Sequence, residues 1–496
     1  MSNRPCSQPK WPLQAVAEYL GADSELPGEH GTRIVTGVCQ DSRQVRPGDI
    51  YAALPGFEHH GGEFIAEAAR KGAVAVVSDR PTEILPAFVV ENPRKILGPL
   101  AAWFYGDPST SLDVYGVTGT NGKTSTAFML EAGLAAAGLR TGIISGICVR
   151  GPTGVSGSER TTPEACTLQR TLASFVDNRV DAVAMEASSH GLALHRINGT
   201  FFRVAAFTNL SRDHLDFHRT MTAYFEAKAQ LFLPEHCASA VISVDDHYGK
   251  ALAEHVTVPR LTVSSRGANA DVAATDIEAD QTGTSFVARH GRWRRKIRLR
   301  LLGCHQVDNA LTAIAALRLG GVDIAAALDG IENLDNVPGR LESVEVGQDF
   351  LAFVDYVHNA GAQRRLFPYL RSLSKGRIIV VIGATGGRDP GKRGPLGRTA
   401  GSLADVLVVT DEGPYRDNAA CLRNDVATGA RQANHAEVLV IPDRRDAIRT
   451  AVSLAKAGDV VVVAGRGNDH MMNYDGMEIR FDDRQVLERA LTESAK

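Results

Sequence analysis

The stretch Gly116-Val117-Thr118-Gly119-Thr120-Asn121-Gly122-Lys123-Thr124-Ser125-Thr126 decides the fold. It follows the alternating run Leu112–Tyr115, which is typical of a strand, and it opens into Ala127–Ala137, where apolar residues recur at helical spacing. A strand, a glycine-rich turn and a helix start form a phosphate cradle, in which backbone N–H groups and a lysine supply positive charge and a Thr hydroxyl can hold Mg²⁺. We therefore expect a nucleoside triphosphate here, bound by Gly119, Thr120, Asn121, Gly122, Lys123, Thr124 and Ser125.

The spacing of this loop departs from a strict Walker A motif. Val117 stands where a glycine is expected, and the first glycine is Gly116. A Gly-rich turn without a ligand is the alternative interpretation. The position of Gly122-Lys123-Thr124 at a strand-to-helix junction favours the nucleotide site.

Length and composition indicate a globular protein of several domains. The chain has 496 residues, a net charge of -3 and 44% hydrophobic residues, and roughly 100–200 residues per domain predicts about three domains. These values indicate neither nucleic acid nor a membrane as partner. No apolar run approaches the roughly 18 residues that span a bilayer, and the polar start Met1–Lys10 lacks a signal-peptide core, so we expect a cytoplasmic protein. The 7 cysteines form no Cys-x-x-Cys pair, so neither a disulfide framework nor a structural zinc site is expected.

Strand and helix patterns predict an α/β protein of three domains. Turn signals at Gly106-Asp107-Pro108 and Pro338-Gly339-Arg340 separate a small N-terminal α/β domain (1–109), a central P-loop ATPase domain (110–338) and a C-terminal Rossmann-like α/β domain (339–496). Compact apolar runs with helices between them are typical of a doubly wound parallel sheet. In the central domain these runs are Val180–Met185, Arg203–Phe207 and Ala240–Ser243, and in the third they are Ile378–Ile382, Val406–Val409, Val438–Ile441 and Val460–Val463.

A basic run at Arg292–Arg300 suggests nucleic acid at first sight. Its later part alternates Ile297 and Leu299 with Arg298 and Arg300, which predicts a strand with one solvated face instead. We expect no nucleic-acid partner.

Two polar segments follow predicted strands downstream of the phosphate loop. They are Met185–Gly191 and Thr208–His218. Ligands of open α/β sheets bind at the carboxyl ends of the strands, so both segments should face the phosphates. A carboxylate at Glu186 can hold Mg²⁺ and an imidazole at His214 can join it, although a lone histidine is more often a capping or core residue.

These segments together resemble the Mur ligases, the ATP-dependent amide-forming enzymes of peptidoglycan synthesis. The matching stretches are Gly116–Thr126, Glu186–His190, Asn209–Asp216 and Pro338–Glu342. Further stretches resemble the members that add the third residue of the stem peptide, namely Asp41-Ser42-Arg43, Pro47–Leu54, Thr161-Thr162-Pro163, Ser188–Leu192, His195-Arg196 and Tyr224–Lys228. The resemblance therefore runs through all three predicted domains.

The resemblance implies a reaction and a set of site residues. A substrate carboxylate would attack the γ-phosphate of ATP, and an amine would then displace phosphate from the acyl phosphate to form an amide. The implied catalytic residues are Lys123, Glu186, His214 and Lys228, the last carbamylated, and the implied Mg²⁺ ligands are Thr124, Glu186, His214 and that carbamate. Asn309, Arg340 and Asp355 would bind ATP, with Gln306 standing where the family has its first Asn. UDP-N-acetylmuramoyl-L-alanyl-D-glutamate would be bound by Asp41, Ser42, Arg43, Thr161, Thr162, Ser188 and Arg196.

The implied amino-acid pocket departs from the family pattern. Family members that add diaminopimelate carry Asp-Asn-Pro-Arg, and aligning its proline with Pro414 puts Tyr415 in place of the arginine, with Arg416 one position late. The family's Gly-Lys-Gly-His-Glu is replaced by Gly465–Asp469, and Asp355–Ala360 only partly follows the family's Asp-Tyr-Ala-His-Thr-Pro. The amino acid would be bound by Glu412, Tyr415, Arg416, Gly465 and Asp469.

Three functional hypotheses stay open. The first is that the chain adds diaminopimelate, lysine or another amino acid to the usual acceptor. The second is that it is a relative recruited to a specialised pathway with a different amine or acceptor. The retained Asp41-Ser42-Arg43 and Thr161-Thr162-Pro163 favour the usual acceptor. A P-loop nucleotide switch is the third hypothesis, but a switch need not keep Glu186, His214 and Lys228. No obligate protein partner is expected.

Overall fold

A computed structural model of the protein describes residues 9–21, 30–56 and 58–494. Most of the polar start, Met1–Gln8, lies outside these residues. The described strands form five sheets, of which the three largest fall within the three predicted domain ranges. The limits between the domains stay predictions. Among the described helices, none combines the length and apolar character that crossing a membrane requires.

The N-terminal unit is built on a parallel 4-stranded sheet in the order β3-β4-β5-β6, and β1 pairs with β2 beside it. Asn92 caps helix α3 by accepting a hydrogen bond from the Lys95 N–H, and Pro93 occupies its first position. The elements are β1 (Trp11–Pro12), α1 (Leu13–Tyr19), β2 (Ile34–Val35), β3 (Gly37–Cys39), β4 (Asp49–Ala53), α2 (Ile65–Arg70), β5 (Ala75–Ser78), β6 (Ala87–Val89) and α3 (Pro93–Phe104).

The central unit holds an 11-stranded sheet in the order β10-β9-β8-β11-β7-β12-β13-β14-β15-β16-β17. Its strands are β7 (Asp113–Thr118), β8 (Thr141–Ile144), β9 (Cys148–Gly151), β10 (Gly154–Gly157), β11 (Ala182–Glu186), β12 (Val204–Phe207), β13 (Ala240–Ser243), β14 (Arg260–Ser264), β15 (Val272–Asp280), β16 (Gly283–His290) and β17 (Trp293–Leu299). Its helices are α4 (Lys123–Ala136), α5 (Ala165–Asp177), α6 (Ser189–Ala193), α7 (Leu215–His218), α8 (Met221–Ala229), α9 (His247–His255), α10 (His305–Leu319) and α11 (Ile324–Glu332).

The predicted parallel sheet is confirmed for the middle of this unit. Strands β8 to β15 pair in parallel in the sheet order, whereas hairpins add antiparallel strands at both edges. The basic run lies on the edge strand β17, where Ile297 and Leu299 are buried and Arg298 is exposed, so the strand interpretation is confirmed.

The third unit holds a 6-stranded sheet in the order β18-β19-β23-β20-β21-β22, parallel except for the β18–β19 pair. The strands are β18 (Glu342–Ser343), β19 (Leu351–Asp355), β20 (Ile378–Ile382), β21 (Val406–Val409), β22 (Glu437–Val440), β23 (Val460–Ala464), β24 (Met471–Tyr474) and β25 (Met477–Arg480). The helices are α12 (Ala360–Leu373), α13 (Arg393–Leu403), α14 (Ala419–Arg431), α15 (Arg444–Leu454) and α16 (Asp483–Ser494). The predicted α/β class with three such sheets is therefore confirmed.

The topology places the phosphate loop at the middle of the central sheet. Strand β7 lies between β11 and β12 and is parallel to both. The carboxyl ends of the three strands therefore share one edge, which brings together the segments that follow Thr118, Glu186 and Phe207.

Candidate functional site

A cavity of about 500 Å³ opens at this edge, and residues of both the central and the third unit line it. The predicted site residues along its wall are Thr120, Asn121, Gly122, Lys123, Thr124, Ser125, Thr161, Glu186, Ser188, Arg196, His214, Lys228, Asn309, Arg340, Asp355 and Asp469. Predicted residues from the central and the third unit thus meet in one place. The wall does not include Gly119, Asp41, Ser42, Arg43, Thr162, Glu412, Tyr415, Arg416 and Gly465.

The phosphate loop turns tightly against the segment after β12. Gly119 has φ +147°, and a Cβ on it would lie 1.9 Å from the Thr208 hydroxyl oxygen. Only glycine fits there, because the turn needs both the backbone conformation and the space. The Thr208 hydroxyl in turn donates to the Asn121 carbonyl at 2.7 Å, so the two segments fix each other.

Lys123 and Lys228 converge on this turn. The Lys123 ammonium donates to the carbonyls of Gly119 and Thr120 at 3.1 and 2.9 Å. The Lys228 Nζ donates to the Gly119 carbonyl at 2.7 Å and lies 4.7 Å from the centroid of the Tyr224 ring. Burial and the charge of Lys123 lower the pKa of Lys228 well below its usual value, and burial lowers that of Lys123 as well.

Two of the residues predicted to hold Mg²⁺, Glu186 and Thr124, offer the oxygen donors that this ion prefers. Glu186 is 1% exposed and accepts one hydrogen bond, from the Gly146 N–H at 2.9 Å on Oε1. The Thr124 hydroxyl faces the same cavity and accepts from Arg340 at 3.0 Å. The described residues contain no cluster of three or more His, Cys, Asp and Glu that could hold a metal by itself. They fit an ion of which nucleotide phosphates and water supply the remaining ligands, which is how Mg²⁺ is usually bound.

Three histidines lie close together, and two of them, His190 and His214, line the cavity. The ring centroid of His190 lies 4.8 Å from that of His214 and 5.6 Å from that of His218. Burial lowers the pKa of His190 and of His218 to about 4, and it lowers that of His214 well below the usual value. At neutral pH these rings are uncharged, so a nitrogen lone pair is available to a ligand.

Asn309, predicted to contact adenine, packs on the phosphate loop. Its Nδ2 donates to Gln306 Oε1 at 2.8 Å, and a Cβ on Gly122 would lie 2.2 Å from its Oδ1. The longer Gln306 therefore occupies one side of the Asn309 amide. Asn309 still lines the cavity, so its predicted contact with ATP stays a prediction.

Arg340 crosses from the third unit to the phosphate loop. Asp355 fixes the backbone around it, accepting from the N–H groups of Leu341 and Val357 at 2.6 and 2.7 Å. Burial raises the pKa of Asp355, against the opposing charge of Arg340. The Arg340 guanidinium stacks over the Tyr356 ring, 4.4 Å from its centroid, and is thereby aimed at Thr124.

The residues predicted to bind the acceptor are divided between two places. Arg196 pairs with Glu164 at 2.8 Å and reaches the Thr162 carbonyl at 3.3 Å, and it lines the cavity together with Thr161 and Ser188. The Thr162 hydroxyl lies behind this wall, where it donates to the Glu186 carbonyl at 2.9 Å.

The predicted uridine residues lie in the N-terminal unit, beside the 3₁₀ turn Ser42–Gln44. There Arg43 pairs with Asp41 at 2.9 Å, and the Ser42 hydroxyl donates to Glu67 at 2.9 Å. In the structure these side chains bond to each other and to their neighbours, and their contact with uridine stays a prediction.

On the third unit, Asp469 is the one member of the predicted amino-acid pocket that lines the cavity. Arg416 instead pairs with Glu58 of the N-terminal unit at 3.2 Å, and Tyr415 is 44% exposed. Glu412 is buried, where it accepts from the Thr385 hydroxyl at 3.0 Å. A Cβ on Gly465 would lie 2.1 Å from Glu412 Oε2, so Gly465 makes room for that carboxylate.

Several residues that line the cavity were not predicted from the sequence. Arg388 and His358 line the cavity, and Asp213 does so from the central unit. Asp213 and His358 stand inside the quoted motifs, so their signal was present. Arg388 follows the glycines after β20, where a strand-end position was the available signal.

The chain is similar to known proteins along most of its length. Three family models match the chain: the Mur ligase family catalytic domain over residues 34–102, the Mur ligase middle domain over 117–317, and the Mur ligase glutamate ligase domain over 339–467. The chain is similar to the UDP-N-acetylmuramoyl-L-alanyl-D-glutamate--2,6-diaminopimelate ligase of Streptomyces avermitilis, with 42% identity over 99% of this chain and 98% of that protein. The ligase of the same name from Corynebacterium glutamicum is 41% identical over 93% of each chain.

Solved structures show the same architecture. A structure of a UDP-N-acetylmuramoyl-L-alanyl-D-glutamate--2,6-diaminopimelate ligase superposes with a TM-score of 0.68 at 27% identity, over 97% of this chain and 99% of that one. The resemblance found in the sequence is thereby confirmed. The chain belongs to the Mur ligase family of ATP-dependent ligases.

Proposed function

We propose that this ligase joins an amino acid to UDP-N-acetylmuramoyl-L-alanyl-D-glutamate, with ATP as the energy source and Mg²⁺ as the metal. The single observation that carries the proposal is the shared cavity. The central unit contributes Lys123, Glu186 and His214 to its wall, and the third unit contributes Arg388 and Asp469. Groups suited to phosphate and groups suited to an amino acid therefore face one space.

The part of the wall around the phosphate loop suits the first step of the reaction. A substrate carboxylate attacks the γ-phosphate of ATP, which yields ADP and an acyl phosphate. Phosphoryl transfer depends mostly on positioning and on neutralising charge. Lys123 and Arg340 supply cations at the phosphate loop, and both are held in place by hydrogen bonds to Gly119, Thr120 and Thr124.

Mg²⁺ would be held at Thr124, Glu186 and His214, together with a carbamate on Lys228. When bound, the ion neutralises negative charge on the phosphates. Carbamylation would turn the buried Lys228 amine into an anion. Two observations support it. Lys228 is 1% exposed, and it contacts a carbonyl and a ring, with no carboxylate bonded to it among the described residues.

The part of the wall that the third unit contributes suits the second step, in which the amine reacts. Its amino group attacks the acyl phosphate carbon and releases phosphate, and the nitrogen loses a proton as the amide forms. Arg388 has an exposed side chain at the cavity and can pair with a carboxylate of the amino acid. Asp469 is solvent-accessible at the cavity, and desolvation by the surrounding protein raises the pKa of its carboxylate. Asp469 can accept from the ammonium group before the reaction.

The acceptor and the amine are supported to different degrees. The relatives' shared name supports the acceptor and makes 2,6-diaminopimelate the first amine to test. A second candidate is a Mur ligase with another amine, in a specialised pathway. The observation in its favour is the local structure at Tyr415 and Arg416, where the family's arginine is replaced and Arg416 bonds to Glu58 instead of facing the cavity.

One screen tests the proposal. Phosphate release is measured with ATP, Mg²⁺ and UDP-N-acetylmuramoyl-L-alanyl-D-glutamate, with 2,6-diaminopimelate, lysine and the common amino acids added singly. We expect release that depends on both the acceptor and one amine. Release without any added amine would contradict the ligase reaction. Release with this acceptor and an amine other than 2,6-diaminopimelate would identify the amine, and the absence of release with every amine would favour the second candidate, in which the amine or the acceptor differs.

A further inference from the structure

Three consecutive residues of the central unit form one part of its contact with the third unit. Ser211 lies against the start of α12, where a Cβ on Gly361 would be 2.9 Å from its hydroxyl oxygen. Arg212 pairs with Asp389 at 3.1 Å. Asp213 lies next to them, with its side chain 3% exposed. This segment, Ser211–Asp213, is called the docking loop below.

Asp213 is held by three side chains of the third unit. His358 Nε2 lies 3.1 Å from its Oδ2, Lys392 Nζ lies 3.4 Å from its Oδ1, and Asn359 Nδ2 lies 3.4 Å from its Oδ2. The other ring nitrogen of His358 contacts the Tyr356 carbonyl at 2.8 Å, so the ring is fixed at both ends. Burial would raise the pKa of Asp213, but its contact with His358 and the charge of Lys392 hold that pKa well below the usual value. The partners therefore compensate for burying the charge.

Asp213 also holds the residue that follows it. Its Oδ1 accepts a hydrogen bond from the backbone N–H of His214 at 3.0 Å. His214 has φ +56°, a left-handed conformation that a residue with a side chain adopts only when its surroundings fix it. The same carboxylate that receives the third unit thus fixes the backbone of the cavity histidine.

We infer that Asp213 is a positioning residue that transmits the docking of the third unit to His214. When His358, Lys392 and Asn359 engage the carboxylate, it is fixed in the orientation that accepts the backbone N–H of His214 and holds His214 at the cavity. When the third unit moves away, Asp213 loses these three partners. This inference rests on the proposed function, because it assigns His214 to the metal site. A consequence of this role is that the metal site is complete only when the third unit, which would bind the amino acid, is docked.

Lys392 provides the sharpest test, since it contacts Asp213 but does not line the cavity. The affinity for Mn²⁺ is measured by electron paramagnetic resonance in the full-length protein, with a non-hydrolysable ATP analogue present. We expect Lys392→Met, His358→Ala and Asp213→Asn each to weaken Mn²⁺ binding about 10-fold, the lower end for residues that orient metal ligands. His358→Gln should restore much of the affinity, because its amide can donate to Asp213.

The matched control is Arg212→Met. It removes the neighbouring ion pair with Asp389 across the same interface and leaves all three partners of Asp213 in place. We expect Mn²⁺ affinity within about twofold of the wild type, and Asp213→Asn combined with Lys392→Met should bind no more weakly than Asp213→Asn alone. Wild-type affinity in Lys392→Met, or an equal loss in Arg212→Met, would overturn the inference.

The two proposals fail separately. Metal affinity requires neither the acceptor nor the amine, so the variant series reports on Asp213 alone. If the variants show the expected series of Mn²⁺ affinities but the wild-type protein releases no phosphate with any amine, the proposed reaction is refuted. The positioning role of Asp213 is then still supported.

Discussion

Lys123 and Lys228 both donate to the carbonyl of Gly119, at 3.1 and 2.7 Å. Two ammonium groups on one carbonyl repel each other, and the charge of Lys123 is one of the causes that lower the pKa of Lys228. This arrangement gives the two lysines different expected roles. Lys123 lies within the phosphate loop, whereas Lys228 comes from α8 and is enclosed by Tyr224 and the loop.

Replacing Lys123 by alanine should lower the rate of phosphate release by at least about 100-fold, the usual loss for a group that stabilises developing charge. The phosphate loop would lose a cation whose position is fixed by Gly119 and Thr120. Steady-state phosphate release at saturating ATP measures this. Near-normal turnover would remove the loop from the mechanism.

Replacing Lys228 by alanine should abolish activity that short carboxylates such as formate or acetate restore in part. The side chain is 1% exposed, so its removal leaves an enclosed space in which a small anion can stand in for a carbamate. Lys123→Ala is the control, since an added anion cannot replace a lost cation. Full activity of the Lys228 variant without any additive would contradict the carbamate.

A third prediction concerns the stability of the third unit. Arg444 and Asp483 form an ion pair at 2.6 Å with side chains 1% and 0% exposed, and Arg444 also donates to the Ala464 carbonyl at 2.9 Å. Asp483→Ala leaves the guanidinium buried without its carboxylate, which should cost about 3–5 kcal/mol of unfolding free energy. Urea unfolding measures it. The control is Asp446→Ala, whose partner Arg449 lies 3.9 Å away and half exposed, and whose loss should cost less than about 1 kcal/mol. Equal losses would contradict the argument.

Several parallel strands of the central and third units could be predicted closely, because they are buried on both faces. Ala240–Ser243, Ile378–Ile382 and Val406–Val409 have the bounds that their apolar runs indicate. Strand Leu351–Asp355 was not predicted, although Leu351, Ala352, Phe353 and Val354 form an apolar run. The hairpins of residues 272–299 were missed as a sheet extension, because their one exposed face interrupts the apolar pattern.

The candidate site could be predicted where one motif carries several contacts, and not where distant segments meet. Lys123, Glu186 and His214 follow from strand-end positions. The pairing of Asp213 with Lys392 depends on how two units dock, which no local spacing encodes. Arg416 is the converse case, because the family resemblance placed it in the amino-acid pocket, whereas in the structure it pairs with Glu58.

The last prediction locates the amino-acid pocket by comparing Asp469 with Arg416. Asp469→Asn keeps the shape of the side chain and removes its charge, so the KM for the amino acid should rise about 10-fold or more, as expected for loss of a hydrogen bond to a charged group. The KM for ATP should change much less, because Lys123 and Arg340 bind phosphate independently of it. Arg416→Ala should have the smaller effect, since Arg416 and Glu58 are 78% and 71% exposed and outside the cavity wall. A larger rise in KM for Arg416→Ala than for Asp469→Asn would place the pocket at Tyr415 and Arg416. The third unit would then have to turn these two residues toward the cavity when the amino acid binds, because Arg416 pairs with Glu58 in the structure.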